Sequence, residues 1–188
     1  HSGGLHSPAV VMGNLGGGFM MLGLLGWMSF RDSIPAANIP PSLRRCVIAA
    51  LVLLCLQIGL GGLTSANFAA SACRTLPDCH GSYLPGGNIG TAFDLSRSHD
   101  VGPTGLAVGG SERADIHKLH RIGAVLAGTV VLFAGILALR AKLGLTAAVV
   151  IMLVVLEFSA GLAAIMADIP ISIAVAHNGL AGLLLLGL

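Results

Sequence analysis

Five long apolar segments limit this 188-residue chain to very few folds. A helix needs roughly 20 apolar residues to cross the hydrocarbon core of a bilayer, and polar backbone groups inside lipid must be paired within the segment. Because the chain is 55% hydrophobic and 10% charged, it lies well outside the range of soluble domains. The sequence predicts an all-α integral membrane protein. The expected helices are residues 8–30, 43–66, 116–140, 144–167 and 170–188.

Basic residues are concentrated in two of the loops between these segments. They are Arg31, Arg44, Arg45, Arg140 and Lys142. Short loops rich in Lys and Arg stay on the cytoplasmic side, so the long loop 67–115 is expected on the outer side. The net charge of +2 is small and scattered, which argues against a nucleic-acid groove. The chain starts at His1 and stops inside an apolar segment, and we expect it to be part of a longer protein.

Two histidines lie at matching depth in different apolar segments, His120 in the third and His177 in the last. At ~1.5 Å per residue both should lie roughly 6–10 Å below the outer surface. Arg121 is the only charged residue expected as close to either in that layer. Two imidazoles on neighbouring helices can bind one heme iron from opposite faces. The alternative is that each histidine hydrogen-bonds a carbonyl or lines a water pocket.

The outer loop contains a pair of cysteines, Cys73 and Cys79. On the oxidising side of a membrane a disulfide is the natural inference for such a pair. A zinc site is the alternative, and His80 and His99 are the nearby residues that would complete it.

Several motifs follow one another in a fixed order along the chain. They are residues 57–67 (QIGLGGLTSAN), 70–73 (ASAC), 77–79 (PDC) with Gly81, 116–124 (IHKLHRIGA) and the helix of His177. This ordered set resembles the heme A synthase family of cytochrome oxidase assembly proteins. The resemblance covers the whole chain and implies an eight-helix protein of two four-helix halves. Residues 1–42 would then be the last helix of the first half and a cytoplasmic linker, and 43–188 the C-terminal heme-binding bundle.

The resemblance implies an oxidoreductase of the bacterial inner membrane that converts the C8 methyl group of heme O to the formyl group of heme A. It implies a heme b cofactor with His120 and His177 as axial ligands, and it pairs Cys73 with Cys79. Two histidines saturate an iron, which favours electron transfer at this heme. The family's catalytic glutamate lies outside the chain, so no catalytic residue is assigned. The expected partners are heme O, the lipid bilayer, heme O synthase and a membrane electron acceptor, with a homo-oligomer left open.

Two residues depart from the family's pattern. Asn14 takes the place in the first segment that His177 holds in the last, where the family commonly has histidine. It is a candidate for the substrate-heme pocket, with a helix-packing amide as the alternative. Glu157 stands where the family usually has Gln, near the middle of the fourth segment. Since an ionised carboxylate is costly there, we expect it to be protonated or paired. It is either a proton relay or a hydrogen-bonding partner of Gln57 or of a backbone carbonyl.

Three polar residues flank His120 on the same helix. His117 lies one turn earlier and is the competing iron ligand, although a headgroup or propionate contact is the preferred interpretation. Arg121 and Lys118 are candidates to neutralise heme propionates, and the alternative for both is snorkelling to lipid phosphate.

Two other kinds of protein are consistent with parts of the sequence. A bis-histidine b-type cytochrome that only transfers electrons would share the ligand pair but would not need the cysteines or the 57–67 motif. A transporter with discontinuous helices would use Gly61, Gly62 and Glu157 as a midplane site.

Overall fold

The computed structural model describes residues 7–31, 39–97, 99 and 109–188. Within these ranges the chain forms six α-helices and no strand, so the predicted all-α class is confirmed. The helices are α1 (Pro8–Phe30), α2 (Pro41–Ala66), α3 (Ile89–Ala92), α4 (Ser111–Arg140), α5 (Gly144–Met166) and α6 (Ile171–Gly187).

The five predicted spans correspond to α1, α2, α4, α5 and α6. Prolines set three of their starts: Pro8 and Pro41 occupy the first turns of α1 and α2, and Pro170 precedes α6. Proline is suited to these positions because the first helical N–H groups have no partner within the helix. The largest difference is at α4, which begins at Ser111 instead of 116. The short helix α3 in the outer loop was not predicted.

Four of the helices, α1, α2, α4 and α5, are long and apolar enough to cross a membrane. The shorter α6 has 17 residues, which is about 26 Å at ~1.5 Å per residue. Both α2 and α5 run without a break through the residues that the transporter alternative requires as a midplane site. That alternative therefore loses its structural basis, and the chain is an integral membrane protein.

The helices α2, α4, α5 and α6 form one bundle around a shared apolar core. Its buried residues are Ala50, Leu54, Val131, Ala134, Val150, Leu153, Val154 and Leu184. Glycines bring the helices close together: a Cβ atom at Gly135 of α4 would lie 2.8 Å from Ile151 of α5. Small residues at such contacts allow van der Waals packing, which drives helix association in lipid. A glycine also lets α1 pack closely against the bundle, since a Cβ atom at Gly62 of α2 would lie 2.8 Å from Leu15.

The long loop between α2 and α4, named the outer loop for its expected side, is fixed to the adjoining ends of α2 and α4 by polar contacts. The buried Asn67 side chain donates hydrogen bonds to the carbonyls of Leu63 at 2.8 Å and Ala92 at 3.0 Å. Arg97 forms a 2.9 Å ion pair with Glu112 in the first turn of α4. These contacts explain why α4 starts earlier than its apolar segment, since they stabilise a polar first turn outside the lipid.

Candidate functional site

A cavity of about 340 Å³ lies inside the bundle and is lined mostly by apolar side chains. This volume is within the range of ordinary small-molecule pockets. The polar residues in its lining are Gln57, Thr64, Ser65, His117, His120, Arg121, Glu157, His177 and Asn178. The cavity therefore brings polar side chains of α2, α4, α5 and α6 into one place.

The structure brings His120 and His177 together across this cavity. Their ring centroids are 6.5 Å apart, and the ring planes are nearly perpendicular at 88°. With a metal–imidazole bond of about 2 Å and about 1 Å from a ring nitrogen to the ring centre, one ion bound by both rings would separate the centroids by about 6 Å. The observed centroid separation is therefore close to that of two imidazoles that share one metal ion.

A glutamine on α2 holds the first of these rings. The Nε2 atom of Gln57 lies 2.9 Å from Nδ1 of His120, and it also donates a 3.0 Å hydrogen bond to the His120 backbone carbonyl. The Nε2 atom of His120 has no hydrogen-bond partner among the described residues. This nitrogen is the one available to a ligand in the cavity.

A glutamate on α5 lies beside the second ring, in a close contact that does not have hydrogen-bond geometry. The Oε1 atom of Glu157 lies 3.3 Å from Nδ1 of His177, and the two side chains are 18% and 28% exposed. Glu157 is thus paired, as expected, but with a histidine and not with Gln57 or a backbone carbonyl. It also corrects the expectation that Arg121 would be the only charged residue close to either histidine.

Each histidine also packs against a glycine that lies one turn after its polar partner. A Cβ atom at Gly61 would lie 3.3 Å from Cε1 of His120, and one at Gly161 would lie 3.3 Å from Cε1 of His177. The spacing is the same on both helices, a Gln or Glu followed four residues later by Gly. This repeat was visible in the sequence, and comparison of residues 57–61 with 157–161 would have identified both contacts.

The residues that flank His120 bind to the protein instead. His117 is buried, and its Nδ1 atom lies 3.0 Å from the carbonyl of Ala69. Lys118 lies 3.7 Å from Asp115 and is not among the cavity residues. Arg121 lines the cavity, but its guanidinium group donates hydrogen bonds to carbonyls of the outer loop. A role of Arg121 or Lys118 toward heme propionates stays a prediction.

The acceptors for Arg121 lie in the loop that the two cysteines close. They are the carbonyls of Cys73 at 2.7 Å, Thr75 at 2.9 Å and Asp78 at 3.0 Å. Cys73 and Cys79 form the expected disulfide. Arg121, the residue after His120 on α4, therefore connects this helix to the loop closed by the disulfide.

The zinc alternative for the cysteine pair finds no support. The Nε2 atom of His80 lies 3.0 Å from the carbonyl of Ala72, and that of His99 lies 2.8 Å from the carbonyl of Ala66. In the part of the chain that the structure describes, no three His, Cys, Asp or Glu side chains are grouped so as to hold a metal ion. A metal between His120 and His177 would need further ligands, such as those a porphyrin supplies.

Asn14 does not join this group. It is exposed on α1 and is absent from the cavity lining, which Leu15 and Phe19 reach from the same helix. Its predicted role in a substrate-heme pocket is therefore separate from the cavity of His120 and His177, and stays a prediction.

Known proteins match this chain along nearly its whole length. Residues 2–188 match the family described as "Cytochrome oxidase assembly protein". The chain is also similar to a protein of Shewanella oneidensis named "Heme A synthase", with 34% identity over 186 residues. That alignment covers 96% of this chain and 56% of the Shewanella protein, so the chain spans about half the length of the curated relative it matches.

Proposed function

Because this chain belongs to the cytochrome oxidase assembly protein family, we propose that it is the heme-carrying half of a heme A synthase. The full protein would oxidise the C8 methyl group of heme O to the formyl group of heme A. This half-reaction takes up the oxygen of one water molecule and releases four protons and four electrons, so it needs an electron acceptor. We place the methyl oxidation in the other half of the protein, whose last helix is α1 of this chain.

The observation that supports the proposal is the pair of facing histidines. His120 and His177 lie on different helices with ring centroids 6.5 Å apart, inside a mostly apolar cavity. Among the described residues neither Nε2 atom has a hydrogen-bond partner, so both remain available to a group bound between the rings. Gln57 and Glu157 lie beside the two Nδ1 atoms, and an oxygen of either side chain, that of Gln57 after half a turn of its amide, can accept the Nδ1–H hydrogen bond that orients a metal-binding histidine.

We propose heme b as the group held between these histidines. A heme bound by two histidines supplies one-electron transfer, because its iron has no open position. The protein contributes orientation through Gln57 and Glu157, and clearance through Gly61 and Gly161. Apolar residues from all five long helices line most of the cavity.

The proposed location is a bacterial inner membrane with the outer loop on the periplasmic side. Two observations favour this orientation: the arginines and the lysine of the short loops lie at the opposite end of the helices, and the disulfide of the outer loop suits an oxidising compartment. Heme O is the proposed substrate. A heme O synthase and a membrane electron acceptor are the proposed partners.

An optical spectrum of the detergent-purified full-length protein tests the proposal. We expect a low-spin b-type reduced-minus-oxidised spectrum that is lost in His120→Ala and in His177→Ala. The matched control is His80→Ala, since His80 bonds a loop carbonyl away from the cavity. Pigment extracted after supply of heme O should contain heme A.

Two results would contradict the proposal in different ways. A spectrum that is unchanged in both cavity variants would show that the histidines are not iron ligands. A normal spectrum without any heme A would leave the electron-carrying cytochrome as the function.

A further inference from the structure

The two histidines have the same geometry around them but different chemical partners. Both Nδ1 atoms contact a side chain from the neighbouring helix, at 2.9 Å for His120 and 3.3 Å for His177. Both Cε1 atoms pack against a glycine at the same distance. The difference is that the partner of His120 is an amide and the partner of His177 is a carboxyl group.

This difference affects which tautomer each histidine can adopt. Gln57 has both a donor and an acceptor at the end of its side chain. Half a turn of its amide presents Oε1 to an Nδ1–H of His120, at the expense of the hydrogen bond from Nε2 to the His120 carbonyl. An ionised carboxylate only accepts hydrogen bonds. Iron binding through Nε2 of His177 leaves the imidazole proton on Nδ1, which faces Oε1 of Glu157 at 3.3 Å, so this carboxyl oxygen is placed to accept it.

The position of Glu157 supports an interaction specific to this ring. Its second oxygen, Oε2, is buried and has no hydrogen-bond partner among the described residues. The Nδ1 atom of His177, likewise without a hydrogen-bond partner among the described residues, is the polar atom that faces Oε1 of this carboxyl group. A carboxyl group placed inside lipid without such a partner would be costly.

We propose that Glu157 is a positioning residue that makes His177 the stronger electron donor of the two axial ligands and lowers the reduction potential of the bound heme. The inference rests on the proposed function, because it requires heme between the two rings. A carboxylate that accepts the Nδ1–H hydrogen bond increases the basicity of the ligating imidazole. A more basic ligand and a nearby negative charge both favour ferric over ferrous iron.

Exchange of the two partners tests the proposal in the full-length holoprotein. Glu157→Gln keeps the shape of the side chain and gives both histidines an amide, so the midpoint potential of the heme should rise. Gln57→Glu gives both histidines a carboxyl group, so the potential should fall. The double exchange Gln57→Glu/Glu157→Gln moves the carboxyl group to His120 and should return the potential close to its original value.

A second pair of variants separates the contact from the charge alone. Asn178 lines the cavity next to His177 in the sequence, so Asn178→Asp adds a carboxyl group to the same cavity. In the Glu157→Gln background, Asn178→Asp should restore less of the shift than Gln57→Glu does. Equal restoration would overturn the proposal, because charge without contact would then be sufficient.

Redox titration followed by the optical spectrum is the measurement. Each tenfold change in the preference of the site for ferric over ferrous heme appears as a shift of about 59 mV in a one-electron couple. An unchanged potential in Glu157→Gln with heme still bound overturns the inference and leaves the proposed function intact. If Glu157→Gln binds no heme, the test depends on Gln57→Glu. A midpoint potential of the heme that is lower in this variant than in the unmodified protein supports the inference, and an unchanged potential overturns it. Absence of heme from the unmodified protein would overturn both.

Discussion

The two sides of the cavity are built alike around their histidines but are held to different degrees by the rest of the protein. On the His120 side, Gln57 makes two contacts to its histidine, and α4 has nine buried residues. On the His177 side, Glu157 makes one contact to its histidine, and α6 has two buried residues, Gly182 and Leu184. The position of His120 is thus fixed by the fold, whereas that of His177 depends more on a single side chain.

The strongest test of this difference fills the space beside each ring. In Gly61→Val or Gly161→Val the new side chain would meet the imidazole, since even a Cβ atom would lie 3.3 Å from Cε1 on both sides. We expect Gly61→Val to reduce the heme bound per protein by about tenfold or more. Gly161→Val should retain a larger share, because α6 has fewer buried contacts to resist a small shift. Heme content per purified protein is the measurement.

The matched control for these variants is Gly59→Val on α2. No atom lies within 4 Å of a Cβ placed at Gly59, so this protein should keep its heme. Equal loss of heme in Gly61→Val and Gly161→Val would show that the His120 and His177 sides of the cavity are held equally firmly.

The second test removes the Arg121 side chain, which lies next to His120 and binds the loop closed by the disulfide. Arg121 donates hydrogen bonds to the carbonyls of Cys73, Thr75 and Asp78, and bonds to a charged donor contribute about 1.5–3 kcal/mol each. Because the bonds share one partly exposed side chain, we expect Arg121→Ala to lower the free energy of unfolding by about 3 kcal/mol in total. Thermal unfolding in detergent measures this loss.

A second readout localises the effect to the loop. The disulfide between Cys73 and Cys79 should be reduced faster by a small thiol in Arg121→Ala than in the unmodified protein. Arg140→Ala, an exposed position at the other end of α4, is the control and should change neither value. Unchanged reduction kinetics in Arg121→Ala would mean that the loop does not depend on this arginine.

The third test uses pH and again acts on the His120 side. Burial lowers the pKa of His99 in the outer loop, and the neighbouring Arg97 and Arg113 lower it further. His99 is therefore neutral in the folded protein at pH values where the unfolded chain starts to bind a proton. Its contribution to stability is complete above the unfolded pKa of about 6.5 and is lost as the pH falls below that value.

Comparison of His99→Asn with His80→Asn measures this contribution. The unmodified protein should unfold at a lower temperature at about pH 5.5 than at about pH 7.5, and His99→Asn should reduce this difference. His80→Asn should leave the difference unchanged, since His80 is exposed. A pH dependence that is the same in both variants would assign the effect to other groups.

The sequence was sufficient to predict where the long helices lie and that His120 and His177 come together, and the reason is physical. Crossing the bilayer requires about 20 apolar residues, so composition alone determines where α1, α2 and α5 lie to within a few residues. The number of residues between a helix end and a side chain gives the depth of that side chain in the membrane, so His120 and His177 were expected at a similar depth. The early start of α4 was missed because it depends on the ion pair of Arg97 with Glu112, which only the folded loop creates.

The sequence did not determine how each helix is rotated about its own axis, and therefore which of its residues face the cavity. These helices are apolar on all sides, so no polar face indicates which side points inward. Glu157 was placed at the right depth without its partner His177, and Asn14 was aligned with His177 although Leu15 and Phe19 are the residues of α1 that face the cavity. Only the packing of the helices against each other determines these directions.

The smallest expected effect concerns the one ion pair that joins the two sides at the outer surface among the described residues. Arg74 in the disulfide loop lies 2.9 Å from Asp168 in the turn between α5 and α6, and the side chains are 64% and 66% exposed. Such exposed pairs contribute about 0–1 kcal/mol, and salt screens them. A double-mutant cycle with Arg74→Ala and Asp168→Ala should give a coupling energy of about 0.5 kcal/mol that disappears at high salt. A coupling well above about 1 kcal/mol would show that the two sides are joined through the loop, and that His177 is held more firmly than its few buried contacts indicate.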